Sequence, residues 1–261
     1  MTHEFAGQVV IVTGAGEGIG YQIAADLVRA GANVLLNEVD TIKAQQAPDA
    51  IGCVGVGADV GDVAVVRGLV EQAVNAFGRV DIAVANAGIT LWNNFLDYQP
   101  DDFQCVLNIN LGGSFFLAQA AARQMRAQGV GGRILFMSSV KAVQAIEYLS
   151  AYAMTKAALS MLARQLVTEL GPYGITTNAI APGATVTPRN VQDDANYEAV
   201  WGNITPTRRP ASVADIANAA LFLLSPRAAQ INGQTLIVDG GWTATSPVPS
   251  LEFVTRKETE S

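Results

Sequence analysis

The sequence predicts an α/β fold: a single domain built on a doubly wound parallel sheet of about seven strands, with helices on both faces. Three observations predict it. Short apolar runs alternate with longer stretches of helical spacing along nearly the whole chain. Most of those runs are continuously apolar rather than alternating, as parallel strands buried on both faces are. A glycine-rich turn, "TGAGEGIG" from Thr13 to Gly20, lies between the first run and the first helical stretch.

Taken in order, "VVIVTG" reads as a buried strand and Gly20–Ala30 as a helix closed by Gly31. "NVLLNE" is the second strand and "CVGVGADV" the third. Over Asp62–Phe77, Val63, Val66, Val70 and Val74 recur at helical spacing. "VDIAVANAG", "RILFMSS", "ITTNAIAPG" and "QTLIVDGG" are further strands, with helices at Asp101–Gln128, Ser150–Gly171 and Val213–Leu224 between them. Such alternation implies right-handed crossovers. Thr185–Pro210 interrupts the rhythm with prolines, polar residues and Trp201, and is expected to form a lid. One catalytic domain over 1–245 is expected, followed by a loosely ordered tail over 246–261.

Composition narrows the function. The chain of 261 residues is half hydrophobic, enough for a full core. No uninterrupted apolar run reaches the roughly 18 residues of a membrane span; "FFLAQAAARQM" comes closest and is broken by Arg123. "MTHEFAGQ" has no basic segment followed by an apolar one, so no export signal is read there. Cys53, Cys105 and the single His3 have no metal-ligand or redox spacing. The net charge of −7 disfavours a nucleic-acid partner. A soluble, cytoplasmic protein without metal or membrane partner is expected.

In an open parallel sheet, ligands bind beyond the carboxyl ends of the strands. Gly14, Gly18 and Gly20 lie at such an end. There the backbone must approach a phosphate closely and a helix N-terminus supplies N–H donors. This loop is followed in order by "NAG" at Asn86–Gly88, "NINLGG" at Asn108–Gly113, "SS" at Ser138–Ser139, "YAMTK" at Tyr152–Lys156, "APG" at Ala181–Gly183 and "VDGG" at Val238–Gly241. With "TGxxxGxG" these motifs resemble the short-chain dehydrogenase/reductase family across residues 5–243. The resemblance implies a Rossmann-type fold and a nicotinamide dinucleotide in the cleft. It also implies that Gly14, Glu17, Gly18, Ile19, Gly20, Glu38, Asp59, Val60, Asn86, Pro182, Gly183, Thr185 and Thr187 line the cofactor site with Tyr152 and Lys156. Asp59 has a second reading, as the cap of the helix beginning nearby.

Charge points to NAD. Glu38 ends the second strand about twenty residues beyond the glycines, where a carboxylate accepts from both ribose hydroxyls. A 2′-phosphate there would meet like charge. Relatives using NADP tend to carry Arg or Lys just before the second glycine or just after the second strand; this chain has Glu17 and Val39.

Tyr152 and Lys156 stand i and i+4 on one helix face. A neighbouring ammonium and a positive nicotinamide are expected to lower the phenol from its usual value of about 10. Tyr152 can then take the substrate's hydroxyl proton as hydride departs. The resemblance adds Ser139 as the holder of the substrate oxygen and Asn110 as the residue holding a water in the proton relay. It also gives Lys156 a bond to the nicotinamide ribose. The expected catalytic set is Asn110, Ser139, Tyr152 and Lys156.

By resemblance the substrate pocket is lined by Thr90, Trp92, Lys141, Gln144, Leu149, Arg189 and Trp201, with Ser139, Lys141, Gln144, Tyr152 and Arg189 as direct contacts. Lys141 and Arg189 together suit an anion; alternatively, Lys141 points to solvent and Arg189 pairs with Asp193 or Asp194. Trp92, Trp201, Asn93 and Gln144 suit a sugar. The chain thus looks most like bacterial sugar dehydrogenases of the aldose 1-dehydrogenase kind, which form a lactone at the anomeric carbon. A sulfonated or carboxylated hexose, sulfoquinovose for example, is the specific expectation. The alternatives are an NAD-dependent 3-hydroxy acid or polyol dehydrogenase, a 3-oxoacyl reductase, and a nucleotide-sensing module without turnover. Resemblance also implies a homotetramer joined through the helices at Asp101–Gln128 and Ser150–Gly171.

Overall fold

A computed structural model describes residues 4–246. The chain runs β1 (Val9–Thr13), α1 (Gly18–Arg29), β2 (Asn33–Glu38), α2 (Lys43–Ile51), β3 (Val54–Gly57), α3 (Val63–Phe77) and β4 (Ile82–Ala85). It continues through α4 (Pro100–Val106), α5 (Ser114–Gln128), β5 (Gly132–Met137), α6 (Ser150–Gln165), α7 (Val167–Leu170) and β6 (Ile175–Pro182). Last come β7 (Thr185–Val186), α8 (Pro188–Asp193), α9 (Tyr197–Ile204), β8 (Ala211–Ser212), α10 (Val213–Leu224) and β9 (Thr235–Val238).

Seven strands form one parallel sheet in the order β3-β2-β1-β4-β5-β6-β9. The winding direction reverses between β1 and β4, which opens a crevice at their carboxyl ends. Alternate residues of β1 feed opposite faces, as the strand period requires. Val9 and Ile11 pack with Leu69, Leu117, Met125, Phe136 and Leu159, under α3, α5 and α6. Val10 and Val12 pack with Ile23, Leu27, Ile216 and Leu223, under α1 and α10. Each fully buried Leu or Ile contributes about 1.5–3 kcal/mol.

Four local features depart from the sequence reading. Helix α1 begins at Gly18, one turn-half earlier than the apolar pattern implied, because the loop glycine itself enters the first turn. Helix α2 was not anticipated: "KAQQAPDAI" has few apolar residues and an internal Pro48, and it folds because Ala44, Ala47 and Pro48 turn inward. The segment expected as one helix over Asp101–Gln128 divides into α4, a π-helical stretch at Leu107–Gly113, and α5. A π stretch inserts one residue into the turn, and such stretches concentrate at functional sites. The irregular region at Thr185–Pro210 holds α8 and α9, bracketed by a small parallel pair, β7 and β8.

By length and composition Pro100–Gln128 could cross a membrane. Within the fold it packs Leu117, Ala118, Ala121 and Met125 into the core. His3 and residues 247–261, which carry nearly all of the expected tail, lie outside the described residues.

Candidate active site

The glycine loop is held from the β4 side. Thr13 Oγ1 accepts from the N–H groups of Asn86 and Ala87, each at 3.2 Å, and Asn86 Nδ2 donates to the carbonyls of Thr13 (2.9 Å) and Gly14 (2.8 Å). The approach is close enough to demand glycine. A Cβ on Gly14 would lie 2.6 Å from Ala87 Cα, and one on Gly20 would lie 2.5 Å from Asn86 Nδ2. Gly18, at φ +64°, instead faces open space bounded by Thr187 at 3.8 Å. The N-cap of α1 is Glu17, whose side chain makes no capping bond. The first-turn N–H groups are therefore free to receive an anion, and the residues present fit a dinucleotide pyrophosphate.

From this loop a cleft of about 470 Å³ runs across the carboxyl ends of β1, β2, β4, β5 and β6. All the cofactor residues expected from the sequence line it: Gly14, Glu17, Gly18, Ile19, Gly20, Glu38, Asp59, Val60, Asn86, Tyr152, Lys156, Pro182, Gly183, Thr185 and Thr187. Glu38 is held by backbone. Its Oε2 accepts from Gly16 N–H (3.0 Å) and its Oε1 from the N–H groups of Val39 (2.9 Å) and Asp40 (3.3 Å). Asp59 accepts from Gly61 N–H at 2.8 Å, while Asp62 caps α3 through Ala64 N–H at 2.7 Å. The capping reading of Asp59 is thus set aside.

Glu17, which stands where NADP-using relatives tend to carry a cation, has a partner that the sequence does not point to. In the fold its Oε2 lies 2.7 Å from Lys43 Nζ, so its charge is paired with a cation from the unforeseen α2.

At the other end, β5 delivers Ser139, α6 delivers Tyr152 and Lys156, and the π stretch delivers Asn110. Ser139, Tyr152 and Lys156 line the cleft. Lys156 Nζ is 5.4 Å from the Tyr152 ring centre and donates to the Met137 carbonyl at 2.7 Å. Burial pulls its ammonium down to about 8. Burial also pushes the Tyr152 phenol up, opposed by the Ser139 hydroxyl and the Arg189 guanidinium. The Lys156 ammonium lies 5.4 Å from the Tyr152 ring centre, and the Arg189 guanidinium is a further positive charge that favours the phenolate.

Asn110 is fully buried and does not line the cleft. Its Oδ1 accepts from Ile89 N–H (2.8 Å), and its Nδ2 donates to the Ile89 carbonyl (3.0 Å) and Thr155 Oγ1 (3.3 Å). It ties the "NAG" loop to α6. Gly88 keeps the space between them clear, since a Cβ there would lie 3.3 Å from both Asn110 Oδ1 and Lys156 Nζ. Ser138 Oγ donates to the Lys156 carbonyl at 2.8 Å and is structural.

The expected substrate contacts divide. Thr90 and Arg189 line the cleft; Lys141 and Gln144 do not. Arg189 donates to the Thr90 carbonyl (3.3 Å) and also pairs loosely with Asp193 (3.8 Å). Lys141 Nζ lies 4.2 Å from the centre of the Trp242 ring, buried and, among the described residues, without a hydrogen-bond partner, and burial lowers its pKa. Gln144 Oε1 is likewise buried and unpartnered. Trp242 packs edge-on against Trp201 of α9 at 5.1 Å, and Trp201 against Tyr197 at 5.9 Å. Leu149 is a core residue and Trp92 is largely exposed. Trp242 was missed from sequence. Its position just beyond β9, after "VDGG", is the signal that pointed to it.

Comparison with known proteins agrees with this geometry. Residues 14–243 match a family model described as Enoyl-(Acyl carrier protein) reductase. An L-rhamnose 1-dehydrogenase (NAD(P)(+)) of Sphingomonas sp. (strain SKA58) is 37% identical over 90% of this chain and 96% of that protein. A 2-dehydro-3-deoxy-D-gluconate 5-dehydrogenase of Dickeya dadantii (strain 3937) is 33% identical over 93% and 98%. Among solved structures, a short-chain type dehydrogenase/reductase from Mycobacterium marinum superposes with a TM-score of 0.88 at 32% identity, covering 93% of this chain and 98% of its own.

Proposed function

The chain belongs to the short-chain dehydrogenase/reductase family, an oxidoreductase acting on CH–OH groups, and from that premise we propose that it oxidises the anomeric carbon of an aldose to a lactone with NAD. The observation that carries the sugar reading is the pairing of two orphaned polar atoms with an aromatic wall. Lys141 Nζ is a buried donor against the Trp242 ring, which packs on Trp201, and Gln144 Oε1 is a buried acceptor; among the described residues neither has a hydrogen-bond partner. Buried polar groups are ordinarily satisfied, so unpaired ones shortly after Ser139 in the chain support a polar ligand there. Sugar hydroxyls both accept and donate, and the ring's C–H faces pack on indoles.

In this reading Ser139 Oγ holds the oxygen at the anomeric carbon. Tyr152 takes the hydroxyl proton, and Arg189 and Ser139 offset the burial that otherwise keeps the phenol protonated. Lys156 and Asn110, facing each other across Gly88, continue the proton path. Bound NAD supplies the acceptor for the hydride lost from carbon. Glu38 holds the ribose hydroxyls. The narrower form of the proposal is an anionic hexose, sulfoquinovose among them, with Arg189 as the cation that lines the cleft. The gluconate-derived substrate in the name of the Dickeya relative favours a second reading, an NAD-dependent polyol or hydroxy acid dehydrogenase.

We further propose a cytoplasmic homotetramer. A groove between the α4–α5 and α6 segments is lined by Leu107, Leu111, Phe115, Phe116, Met161 and Leu162, and Leu236 and Ile237 of the edge strand β9 are part-exposed. A second copy would cover each surface; light scattering reports the assembly.

The deciding experiment follows NADH formation across neutral aldoses, sugar acids, sulfosugars, polyols and 3-hydroxy acids. Neutral aldoses or sulfosugars should turn over fastest. Turnover confined to polyols or hydroxy acids would replace the sugar reading. Tyr152→Phe should lower kcat about 10²- to 10⁴-fold; a rate equal to the parent's contradicts the assigned base.

A further inference from the structure

Lys43 opens α2, one turn beyond the end of β2, and its stem lies against the glycine loop. A side chain at Gly16 would meet Lys43 Cβ at 2.9 Å and Glu38 Oε2 at 2.9 Å. Lys43 and Glu38 therefore flank the same loop glycine, and Glu38 lines the cleft beside it. The Lys43 ammonium is 2.7 Å from Glu17 Oε2, and each side chain keeps 41% of its exposure. Glu17, Asp40 and Glu38 all face that ammonium and hold it in its charged form. An ion pair so accessible to water is weak and exchangeable, whereas a phosphate dianion binds an ammonium strongly. Glu17 and Glu38 line the cleft, so the cation stands one side-chain swing from the ribose position.

We propose that Lys43 is a reserve ligand for a ribose 2′-phosphate, withheld by Glu17, and that this pair sets how far the cleft accepts NADP beside NAD. The inference rests on the dinucleotide reading of the cleft. With NAD the pair stays closed and the backbone-anchored Glu38 carboxylate takes the ribose hydroxyls. With a 2′-phosphate, Lys43 leaves Glu17 for the phosphate and partly offsets the repulsion from Glu38.

Calorimetric titration of the full-length chain tests this without turnover. Adenosine 2′,5′-bisphosphate is compared with adenosine 5′-monophosphate as the probe, and NAD is titrated in parallel. Lys43→Met should weaken the bisphosphate about tenfold relative to the monophosphate. Glu17→Gln should tighten the bisphosphate about threefold, the scale of a half-exposed ion pair, and Glu17→Gln/Lys43→Met should lose that gain. The idea is overturned if Lys43→Met shifts both probes alike or neither. It is also overturned if the gain persists in the double variant, or if neither the parent nor Glu17→Gln binds the bisphosphate. NAD distinguishes the two levels: binding of NAD with no selective response removes Lys43 alone, while failure of the parent to bind NAD removes the dinucleotide reading with it.

Discussion

The two ends of the cleft are built from different materials. At the nucleotide end, glycines, backbone amides and the strand-end Glu38 are locked by hydrogen bonds within the loop; Asn86 and Thr13 alone account for four. At the substrate end, Trp201 of α9 packs on Trp242 of the turn after β9 and Lys141 lies against that ring, and among the described residues Lys141 Nζ and Gln144 Oε1 have no hydrogen-bond partner. Two lysines show the contrast. Lys156 is buried yet donates a hydrogen bond to the Met137 carbonyl, whereas Lys141 has an indole face and, among the described residues, no acceptor. The nucleotide end is rich in internal hydrogen bonds, and the substrate end is poorer in them.

Adding a methyl group at the rigid end should break it most severely. Gly20→Ala would place a Cβ 2.5 Å from Asn86 Nδ2 and 2.6 Å from the Gly14 carbonyl. Overpacking of this kind costs about 1–3 kcal/mol, and NAD affinity should fall about 5- to 150-fold by titration. An unchanged affinity would show that the loop yields.

The buried Lys156 gives a pH signature of intermediate size. Its ammonium loses its proton near about 8 in the folded chain and near 10.5 when unfolded. Between those values the unfolded chain binds more protons, so stability rises with pH. Above about pH 10 the raised Tyr152 phenol reverses the trend, because the unfolded chain then ionises first. Denaturant midpoints from pH 8 to 10 should climb in the parent by about 1.4 kcal/mol per pH unit at most, and stay flatter in Lys156→Met. Parallel curves would remove the assigned cause.

The adaptable end should respond least. Trp242→Ala removes the ring under Lys141 and the edge contact to Trp201. With about 1 kcal/mol at stake per aromatic contact, KM for the sugar should rise about fivefold while NAD affinity holds. An equal loss for NAD would merge the two ends into one unit.

The same division explains what was legible before folding. Gly14, Gly18, Gly20 and Glu38 could be placed because a strand, a turn and a helix N-terminus follow one another directly, although the close approach of Gly14 and Gly20 to Ala87 and Asn86 comes from folding. Ser139, Tyr152 and Lys156 could be placed from short spacings on one strand end and one helix. Asn110 was found as a residue, but its bonds to Ile89 and Thr155 come from a π stretch whose irregularity an apolar pattern does not reveal. Lys43 escaped notice because α2 carries a weak apolar signal. Trp242 escaped because its partners, Lys141 and Trp201, lie far away along the chain.

By itself the sequence determined the winding of the sheet, the site of the glycine loop and which polar side chains, Ser139, Tyr152 and Lys156, line the cleft. Hydrophobic period and backbone freedom are properties of near neighbours. The tertiary structure decided how charges are partnered: Glu17 is matched by Lys43, Arg189 reaches the Thr90 carbonyl, and Lys141 rests on Trp242. Electrostatic pairing acts through space over a few ångströms, and only folding brings those distant residues that close.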